Sequence, residues 1–234
     1  GMTSKKHIVI MVGGGFAPAA AAFAQQVAAA LDDRFVTHAI AGAEAFHHLA
    51  RCDALVLAGY HGPQVAGADY QPLTRLEKQN FGSYVSAGQP LIVTPEGAAS
   101  FPDWPRYAEL VGFTARVLPQ KAAADPPAGV YADPTSFCSQ LAGSVVPAAL
   151  VCEVAPDPRV QTEIHASVVC PRRGTIPLVA SAWGGPRPGA GTSLYVGLGP
   201  VAAGALAPAL LTTLWRRALL WLTGEAEDSL ARVG

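Results

Sequence analysis

Apolar runs alternate with amphipathic helical segments along the first hundred residues of the chain. The apolar runs are short, rich in branched side chains and followed by glycine or a turn, which is typical of buried strands in a parallel sheet. The pattern predicts strands at residues 7–12, 35–40, 53–58 and 91–93. It predicts helices at residues 18–31, 44–50 and 73–87. This alternation indicates an α/β domain whose parallel sheet is covered on both faces.

The second half of the chain has a different pattern. Residues 119–134 are rich in Pro, Ala and Asp, which predicts a loop or an excursion over the surface. Further strands are predicted at residues 148–154, 163–169, 176–182 and 193–198. Because turns rather than helices join these strands, this half of the sheet should be antiparallel or mixed. An amphipathic helix at residues 206–222, with Trp215 and Trp221 toward the core, closes the fold.

Length and composition fit one folded domain. The chain has 234 residues, of which 50% are hydrophobic and 14% charged. A chain of this size buries roughly 70–75% of its unfolded surface, so its core needs no disulfide or metal to support it. We expect one domain at residues 2–224 and a polar tail at residues 225–234. The high apolar content also predicts a homo-oligomer, since apolar surface is commonly hidden between subunits.

Charge and hydropathy narrow the classes of partner. The net charge is −1, and adjacent basic residues occur only as the pairs at residues 5–6, 172–173 and 216–217. Nucleic-acid binding needs a concentrated basic face, so it is not expected. No uninterrupted apolar run reaches the roughly 18 residues of a membrane span, so no membrane association is expected either.

The four cysteines, Cys52, Cys138, Cys152 and Cys170, form no CxxC pair and no zinc-finger spacing. Small or apolar neighbours around most of them favour buried, reduced thiols. No secretory signal peptide is visible near the start of the sequence. A cytoplasmic location is therefore expected.

Candidate functional residues directly follow the predicted strands. Because parallel strands end at one edge of a sheet, the residues after them should line one cleft, where ligands of α/β domains bind. The expected cleft residues are Gly14, Tyr60, His61, Glu96, Gly97 and Gly199.

Glu96 and His61 are the candidate catalytic residues. A carboxylate at position 96 can accept sugar hydroxyls or act as a general base, but it can equally cap the helix that follows. His61 titrates near neutrality and can serve as acid, base or ligand, although most loop histidines are simply solvated. Residues 91–101 contain no Cys, so hydrolysis of glutamine through a thiolate is not expected.

Two further groups of residues have weaker signals. The glycines Gly13, Gly14 and Gly15 can cradle an anion at a helix N-terminus or can simply form a tight turn, and they do not match a dinucleotide-binding fingerprint. Glu163 and His165 lie two apart on a predicted strand, so they should face the same way, and they are candidates to join the cleft from the second half of the sheet. With His61 they have the residue types of a zinc site, but their distant positions argue against a metal, so no metal or cofactor is assigned.

The order of several segments is similar to that of a known family. The segments are residues 101–112 (FPDWPRYAELVG), 162–165 (TEIH), 177–183 (PLVASAW), 189–195 and 196–199 (VGLG). Their order and spacing resemble the ThuA-like (trehalose-utilisation-like) family of the class I glutamine amidotransferase-like superfamily. The resemblance implies a flavodoxin-like three-layer α/β/α sandwich and a role near carbohydrate metabolism.

The chain departs from that family where its chemistry is expected. The fourth-strand turn commonly carries a His, and here that place holds Pro95 or Glu96. The late strand commonly ends Leu-Gly-His, and here Pro200 stands in place of the His. Residues 162–165 keep only one acid of the family motif, and the amidotransferase Cys is absent. No catalytic triad can therefore be carried over.

Three functional hypotheses follow. The first is a domain that binds a small polar, carbohydrate-related ligand at the strand carboxyl edge with degenerate catalytic residues. The second is a hydrolase or isomerase of sugar derivatives, which requires two polar side chains that converge at the edge. The third is a non-catalytic assembly or regulatory module, in which the protein's own side chains should fill the edge.

Overall fold

The computed structural model describes residues 4–31, 34–65, 69–118, 125–148, 152–171, 173–187, 191–203 and 208–224. Within these residues one mixed sheet has nine strands in the order β2-β1-β3-β4-β11-β10-β9-β6-β7. Its strands are β1 (Lys6–Val12), β2 (Phe35–Ala41), β3 (Ala54–Leu57), β4 (Leu91–Val93), β6 (Asp125–Ala132), β7 (Val145–Ala148), β9 (Gln161–Cys170), β10 (Gly174–Trp183) and β11 (Thr192–Val196). The strands β5 (Phe113–Val117) and β8 (Cys152–Pro156) form a separate antiparallel pair.

The sheet has a parallel half and an antiparallel half, which confirms the mixed topology expected from the sequence. Strands β2, β1, β3, β4 and β11 are mutually parallel. Strands β10, β9, β6 and β7 then follow in antiparallel pairing. The carboxyl ends of the five parallel strands therefore lie along one edge of the sheet, here called the carboxyl edge.

Helices pack on both faces of the sheet. They are α1 (Ala17–Ala30), α2 (Arg75–Ser86), α3 (Pro95–Ala98), α4 (Arg106–Val111), α5 (Pro200–Ala203) and α6 (Pro208–Leu222). Short 3₁₀ segments lie at Gly42–His47, Leu49–Arg51 and Ser139–Leu141. Helix α2 begins with a capping box, in which the side chains of Thr74 and Glu77 each accept a hydrogen bond from the other's backbone N–H. Among the described residues, no helix combines the length and apolar character needed to cross a bilayer.

Alternating side chains of the central strands pack into two hydrophobic cores, one on each face of the sheet. On one face, Ile8 and Ile10 of β1 join a core with residues of α1 and α6, where the rings of Phe23 and Trp215 meet edge to face at 4.9 Å. On the other face, Met11 joins a core with residues of α2, α3 and α4. Burial on both faces explains why β1 reads as a continuous apolar run.

Two predictions about the middle of the chain were wrong. Residues 119–134 were expected to form a loop, yet Asp125–Ala132 is strand β6, in which buried Ala128 and Val130 alternate with exposed positions. The single strand expected at residues 148–154 is two strands, β7 and β8, which belong to different sheets. The prolines of β6 and the short turn-rich connections concealed these strands, because propensity records Pro as a strand breaker. The predicted tail at residues 225–234 lies outside the described residues.

The antiparallel end of the sheet leaves apolar side chains on one face exposed. Tyr131 of β6 is 68% exposed, Val145 of β7 is 63% exposed and Val169 of β9 is 49% exposed. Their neighbours in sequence, including Val130, Val146 and Val168, are buried in the core on the opposite face. This end of the sheet therefore has one covered face and one open face, here called the open sheet face.

Candidate functional site

The glycine turn after β1 contacts the turn after β3 at the carboxyl edge. Gly14 pairs with Tyr60, and the Gly15 N–H donates to the Tyr60 carbonyl over 2.9 Å. A Cβ at Gly14 would lie 1.8 Å from the Tyr60 oxygen, and its φ of 79° is the left-handed region. Only glycine permits this approach. The predicted turn therefore exists, and it joins the two segments that the sequence placed at one edge.

His61 lies half-buried above the end of β1. Its Nε2 lies 3.1 Å from the Val12 carbonyl oxygen, and its ring stacks against Phe101 at 5.8 Å. Because a carbonyl only accepts hydrogen bonds, Nε2 carries the ring proton and Nδ1 keeps a free lone pair. Burial lowers the pKa of His61, so the neutral ring is favoured near pH 7.

Glu96 lies in the first turn of α3, directly after β4. Its side chain is 1% exposed, and its Oε2 atom has no hydrogen-bond partner among the described residues. Burial raises the pKa of Glu96 to about 7, an effect partly offset by the backbone N–H groups of Glu96 itself and Val201. The helix cap is Thr94 rather than Glu96, because the Thr94 Oγ1 accepts from the Gly97 N–H over 3.1 Å. Helix capping therefore does not account for the buried position of the Glu96 side chain.

The Glu96 carboxylate packs against the turn after β11. A Cβ added to Gly199 would lie 2.1 Å from the Glu96 Oε2 atom and 2.9 Å from the Pro95 ring. Gly97 is equally close to the main chain of β3, where a Cβ would lie 2.1 Å from the Leu57 oxygen. These two glycines let α3 and the β11 turn close over the carboxylate and exclude water from it.

A residue not included in the predicted site connects the two candidates. The Ser100 hydroxyl accepts from the His61 N–H over 2.9 Å and lies 3.0 Å from the carbonyl oxygens of both Gly59 and Glu96. Next to it Phe101 has a φ of 52°, and its N–H donates to the His61 carbonyl over 2.8 Å. A non-glycine residue in the left-handed region is strained and is found where surrounding contacts enforce it. The sequence suggested Ser100 only as a weak nucleophile candidate.

Cys152 of β8 was also missed by the sequence-based assignment. It packs with the buried Tyr60 ring in one small apolar cluster. Burial raises the pKa of the Cys152 thiol, and the nearby Glu96 carboxylate adds to this. The thiol is therefore held neutral rather than as a nucleophilic thiolate. No sequence spacing links positions 60, 96 and 152, so only the fold shows that they meet.

The carboxyl edge consequently has two parts with different access. The sealed part comprises Tyr60, Glu96, Gly97 and Gly199, all buried, with Tyr60 at 0% exposure. The open part comprises Gly13, Gly14, Gly15 and His61, all exposed or half-buried. All of the residues predicted for the edge of the parallel half are present there, but they do not share one accessible cleft.

Glu163 and His165 lie away from this edge site. Strand β9 is separated from β4 by β11 and β10. His165 is buried, its Nε2 lies 2.9 Å from the Ser181 hydroxyl, and its ring contacts Phe137 and Trp221. The pairing of β9 with β10 skips His165, so a bulge breaks the alternation assumed for this strand. The described residues contain no cluster of three metal-ligating side chains.

Comparison with known proteins identifies the fold. No protein-family model matches the chain, and no curated protein sequence matches it. A crystal structure of a protein described as ThuA-like, from Parabacteroides merdae, matches with a TM-score of 0.68 and 11% identity, covering 94% of this chain and 90% of that one. The mmIFT52 N-terminal domain matches with a TM-score of 0.58 and 13% identity, covering 93% and 97%. The resemblance inferred from the sequence is thus confirmed at the level of the fold: the chain has the mixed α/β fold of a ThuA-like structure.

Proposed function

We propose that this chain is a ThuA-like domain that binds a small polar, carbohydrate-related ligand at the open part of the carboxyl edge and does not transform it. In this proposal the domain is a flavodoxin-like three-layer sandwich of the class I glutamine amidotransferase-like superfamily. The single observation that carries the proposal is the divergence of the two acid/base candidates. His61 is directed toward the end of β1, whereas Glu96 is sealed against the turn after β11.

Divergence of these side chains argues against acid/base catalysis. A general acid and base must both reach the reacting atoms, either directly or through one water molecule. The Glu96 carboxylate is closed off by Gly199 and α5, and the His61 Nε2 is engaged by the Val12 carbonyl. The Cys152 thiol beside Glu96 is neutral and buried. These features support the proposal that the catalytic residues are degenerate.

The open part offers groups that suit ligand hydroxyls. The neutral His61 ring presents an Nδ1 acceptor, and the exposed main chain at Gly14 has no side chain to shield it. Sugars carry both donors and acceptors at close spacing, so a fixed acceptor beside exposed backbone recognises them without a full charge. This supports a neutral or weakly charged sugar derivative as the ligand.

The test is a thermal-shift screen of sugars and sugar acids, followed by calorimetry on the compounds that stabilise the protein. His61→Asn should weaken binding about 10-fold, since one hydrogen bond is lost. His48→Asn, an exposed histidine on another surface, serves as the matched control and should bind normally. Equal affinity in both variants would remove His61 from the site and overturn the proposal.

A second candidate function rests on Glu96. Its unpartnered Oε2 atom and its pKa of about 7 are features of catalytic carboxylates, which favours a hydrolase or isomerase of sugar derivatives. This function requires the turn at Gly199 to open and admit the substrate. NMR spectra of each stabilising sugar, recorded over hours with the protein, distinguish the two functions. Product signals that disappear in Glu96→Gln would establish the enzyme.

We also propose that the domain self-associates and works in a reducing, cytoplasmic compartment. The open sheet face supplies apolar surface for a second copy, since Tyr131 and Val145 are largely exposed there. All four cysteines are buried, as expected for reduced thiols. Light scattering tests the first point: Tyr131→Ser with Val145→Thr should shift the protein toward a 24.1 kDa monomer. A wild-type protein that is monomeric at all concentrations would contradict it.

A further inference from the structure

A groove on the outer side of α2 gathers positive charge. It lies between that helix and the segment of Trp104 and Arg106, and its volume is about 390 Å³. The side chains that give it character are Arg75, Lys78, Ser83, Ser86, Trp104 and Arg106. None of them belongs to the residues described at the carboxyl edge.

Among the residues that the structure describes, the cations of this groove have no acidic partners. Three of the lining residues, Arg75, Lys78 and Arg106, are basic, and none of the described lining residues is acidic. Within the described part of the chain, no carboxylate forms an ion pair with any of the three. The chain as a whole has a net charge of −1, so this concentration of positive charge is local. Unneutralised cations that line a concave surface attract anions.

The groove is also held in shape before any ligand binds. The Lys78 ammonium lies 5.8 Å from the centroid of the Trp104 ring, a distance at which the ring face attracts a cation. The Trp104 ring is itself packed against Phe81 and Tyr107, with centroids 6.2 and 6.1 Å away. These contacts keep Lys78 at the wall of the groove rather than leaving it free in solvent.

Two features keep the groove open and positive. Gly82 stands in the middle of α2, where glycine is unfavourable by about 1 kcal/mol relative to alanine. A Cβ there would meet only the Arg106 Nη1 atom, at 4.0 Å, so the missing side chain leaves room beneath the guanidinium. Two acids are adjacent in sequence to lining residues of the groove. The Glu77 carboxylate contacts the His47 ring and accepts from the Thr74 N–H, and Asp103 accepts a hydrogen bond from the Tyr70 hydroxyl, so neither forms an ion pair with a cation of the groove.

We propose that this groove binds a small organic phosphate, a phosphomonoester of a polyhydroxylated compound. The arginine side chains of the groove have the fork geometry that phosphate oxygens accept, and Lys78 adds a point charge. Ser83, Ser86 and Gln79 offer hydroxyl and amide groups for the remainder of the ligand. The volume falls within the range of small-ligand sites. This site is separate from the carboxyl edge, so the proposal does not depend on the function proposed there.

The experiment titrates the full chain by calorimetry with glucose 6-phosphate, glucose and inorganic phosphate in parallel. Glucose 6-phosphate should bind at least 10-fold more tightly than either of the other two, because only it engages both the cations and the polar side chains. Arg75→Gln combined with Arg106→Gln should weaken its binding by at least about 10-fold, since charge-assisted hydrogen bonds are lost. The matched control, Lys5→Gln with Arg51→Gln, removes the same net charge from exposed positions elsewhere and should bind normally.

Three results would overturn the proposal. The first is no binding of glucose 6-phosphate, and the second is unchanged binding in the Arg75/Arg106 variant. The third is equal affinity for inorganic phosphate and glucose 6-phosphate, which would leave only a non-specific anion effect. His61→Asn separates this site from the carboxyl edge: it should leave glucose 6-phosphate binding intact, and a loss in that variant would assign the binding to the edge instead. Because the substituted arginines are exposed, circular dichroism should show both variants folded.

Discussion

The sealed and open parts of the carboxyl edge lie on neighbouring turns of the same sheet, yet they present opposite environments. Around Glu96, two glycines let the backbone close until the carboxylate is buried, with its Oε2 atom unpartnered among the described residues. Around His61, glycines likewise let the turns after β1 and β3 approach closely, yet the ring stays half-exposed. The same residue type therefore brings turns together in both parts, but only the Glu96 side chain is fully enclosed.

This contrast shows that the position of a residue at the sheet edge does not determine whether solvent reaches its side chain. A residue that follows a strand is placed at the edge by topology alone. Whether its side chain reaches solvent depends on how closely the adjoining turns approach, which is decided at positions such as Gly199 and Gly14. Variants that alter that approach therefore test the contrast most directly.

The largest effect is expected from the charge of Glu96. Its pKa is raised on folding from 4.5 to about 7, so the folded state binds this proton more tightly than the unfolded state. The resulting stability is fully present below about pH 4.5 and is lost as the pH rises through about 7, and it amounts to roughly 3 kcal/mol. In Glu96→Gln this dependence should disappear. Urea unfolding of both proteins at several values between about pH 4.5 and about pH 8 measures the difference.

The matched control for this prediction is Glu163→Gln, which makes the same chemical change at an exposed position. Its unfolding free energy should follow the wild-type curve. Parallel curves for wild type and Glu96→Gln would mean that the carboxylate is hydrated, and the sealed part would not be sealed.

The next effect concerns the close approach at Gly199. Gly199→Ala should destabilise the protein by about 1–3 kcal/mol, because its Cβ would overlap the Glu96 Oε2 atom. Gly129→Ala, on the open sheet face with nothing within 4 Å of the added carbon, should be close to neutral. In a double-mutant cycle, Glu96→Ala should relieve part of the Gly199→Ala penalty. Additive free energies would place the strain elsewhere.

A smaller loss of stability is expected when the Ser100 hydroxyl, which joins the two parts of the carboxyl edge, is removed. Ser100→Ala should lower the unfolding free energy by about 1–2 kcal/mol, since the His61 N–H loses its acceptor in a buried setting. Ser86→Ala, at an exposed position of α2, provides the control. If Ser100→Ala proves as stable as the control, then water replaces the hydroxyl and the two parts are not coupled.

Much of the fold could be predicted from the sequence, for a physical reason. Strands such as β1 and β4 are buried on both faces, so their apolar runs identify them without reference to the rest of the chain. Strand β6 could not be identified in this way, because its prolines suggest a loop and its buried residues matter only once β9 lies beside it. The bulge at His165 likewise depends on pairing with β10 and leaves no local signal.

The positions of the candidate residues in the fold could be predicted, but the arrangement of their side chains could not. Gly14, Tyr60, His61, Glu96, Gly97 and Gly199 reached the expected edge because each follows a strand of the parallel half. The burial of Glu96, its contact with Gly199 and the bridging hydroxyl of Ser100 arise from turns that meet only in the folded chain. The open sheet face was likewise not foreseen.

The smallest effect on stability is expected at His61. His61→Asn should change the unfolding free energy by less than about 1 kcal/mol, because the ring is half-exposed and Asn can still donate to the Val12 carbonyl. Thermal unfolding of His61→Asn, compared with that of the control variant His48→Asn, measures this change. A large loss would make His61 a structural residue and would confound its use as a probe of binding.

The most direct test of the proposed function follows backbone amide signals by NMR while a stabilising sugar is titrated into the protein. The account predicts that the signals of Gly13, Gly14 and His61 shift with increasing ligand, that those of Gly97 and Gly199 stay in place, and that no product signals appear. Shifts centred on Gly97 and Gly199, or product that forms in wild type but not in Glu96→Gln, would show that the sealed part opens and that the carboxyl edge is an active site.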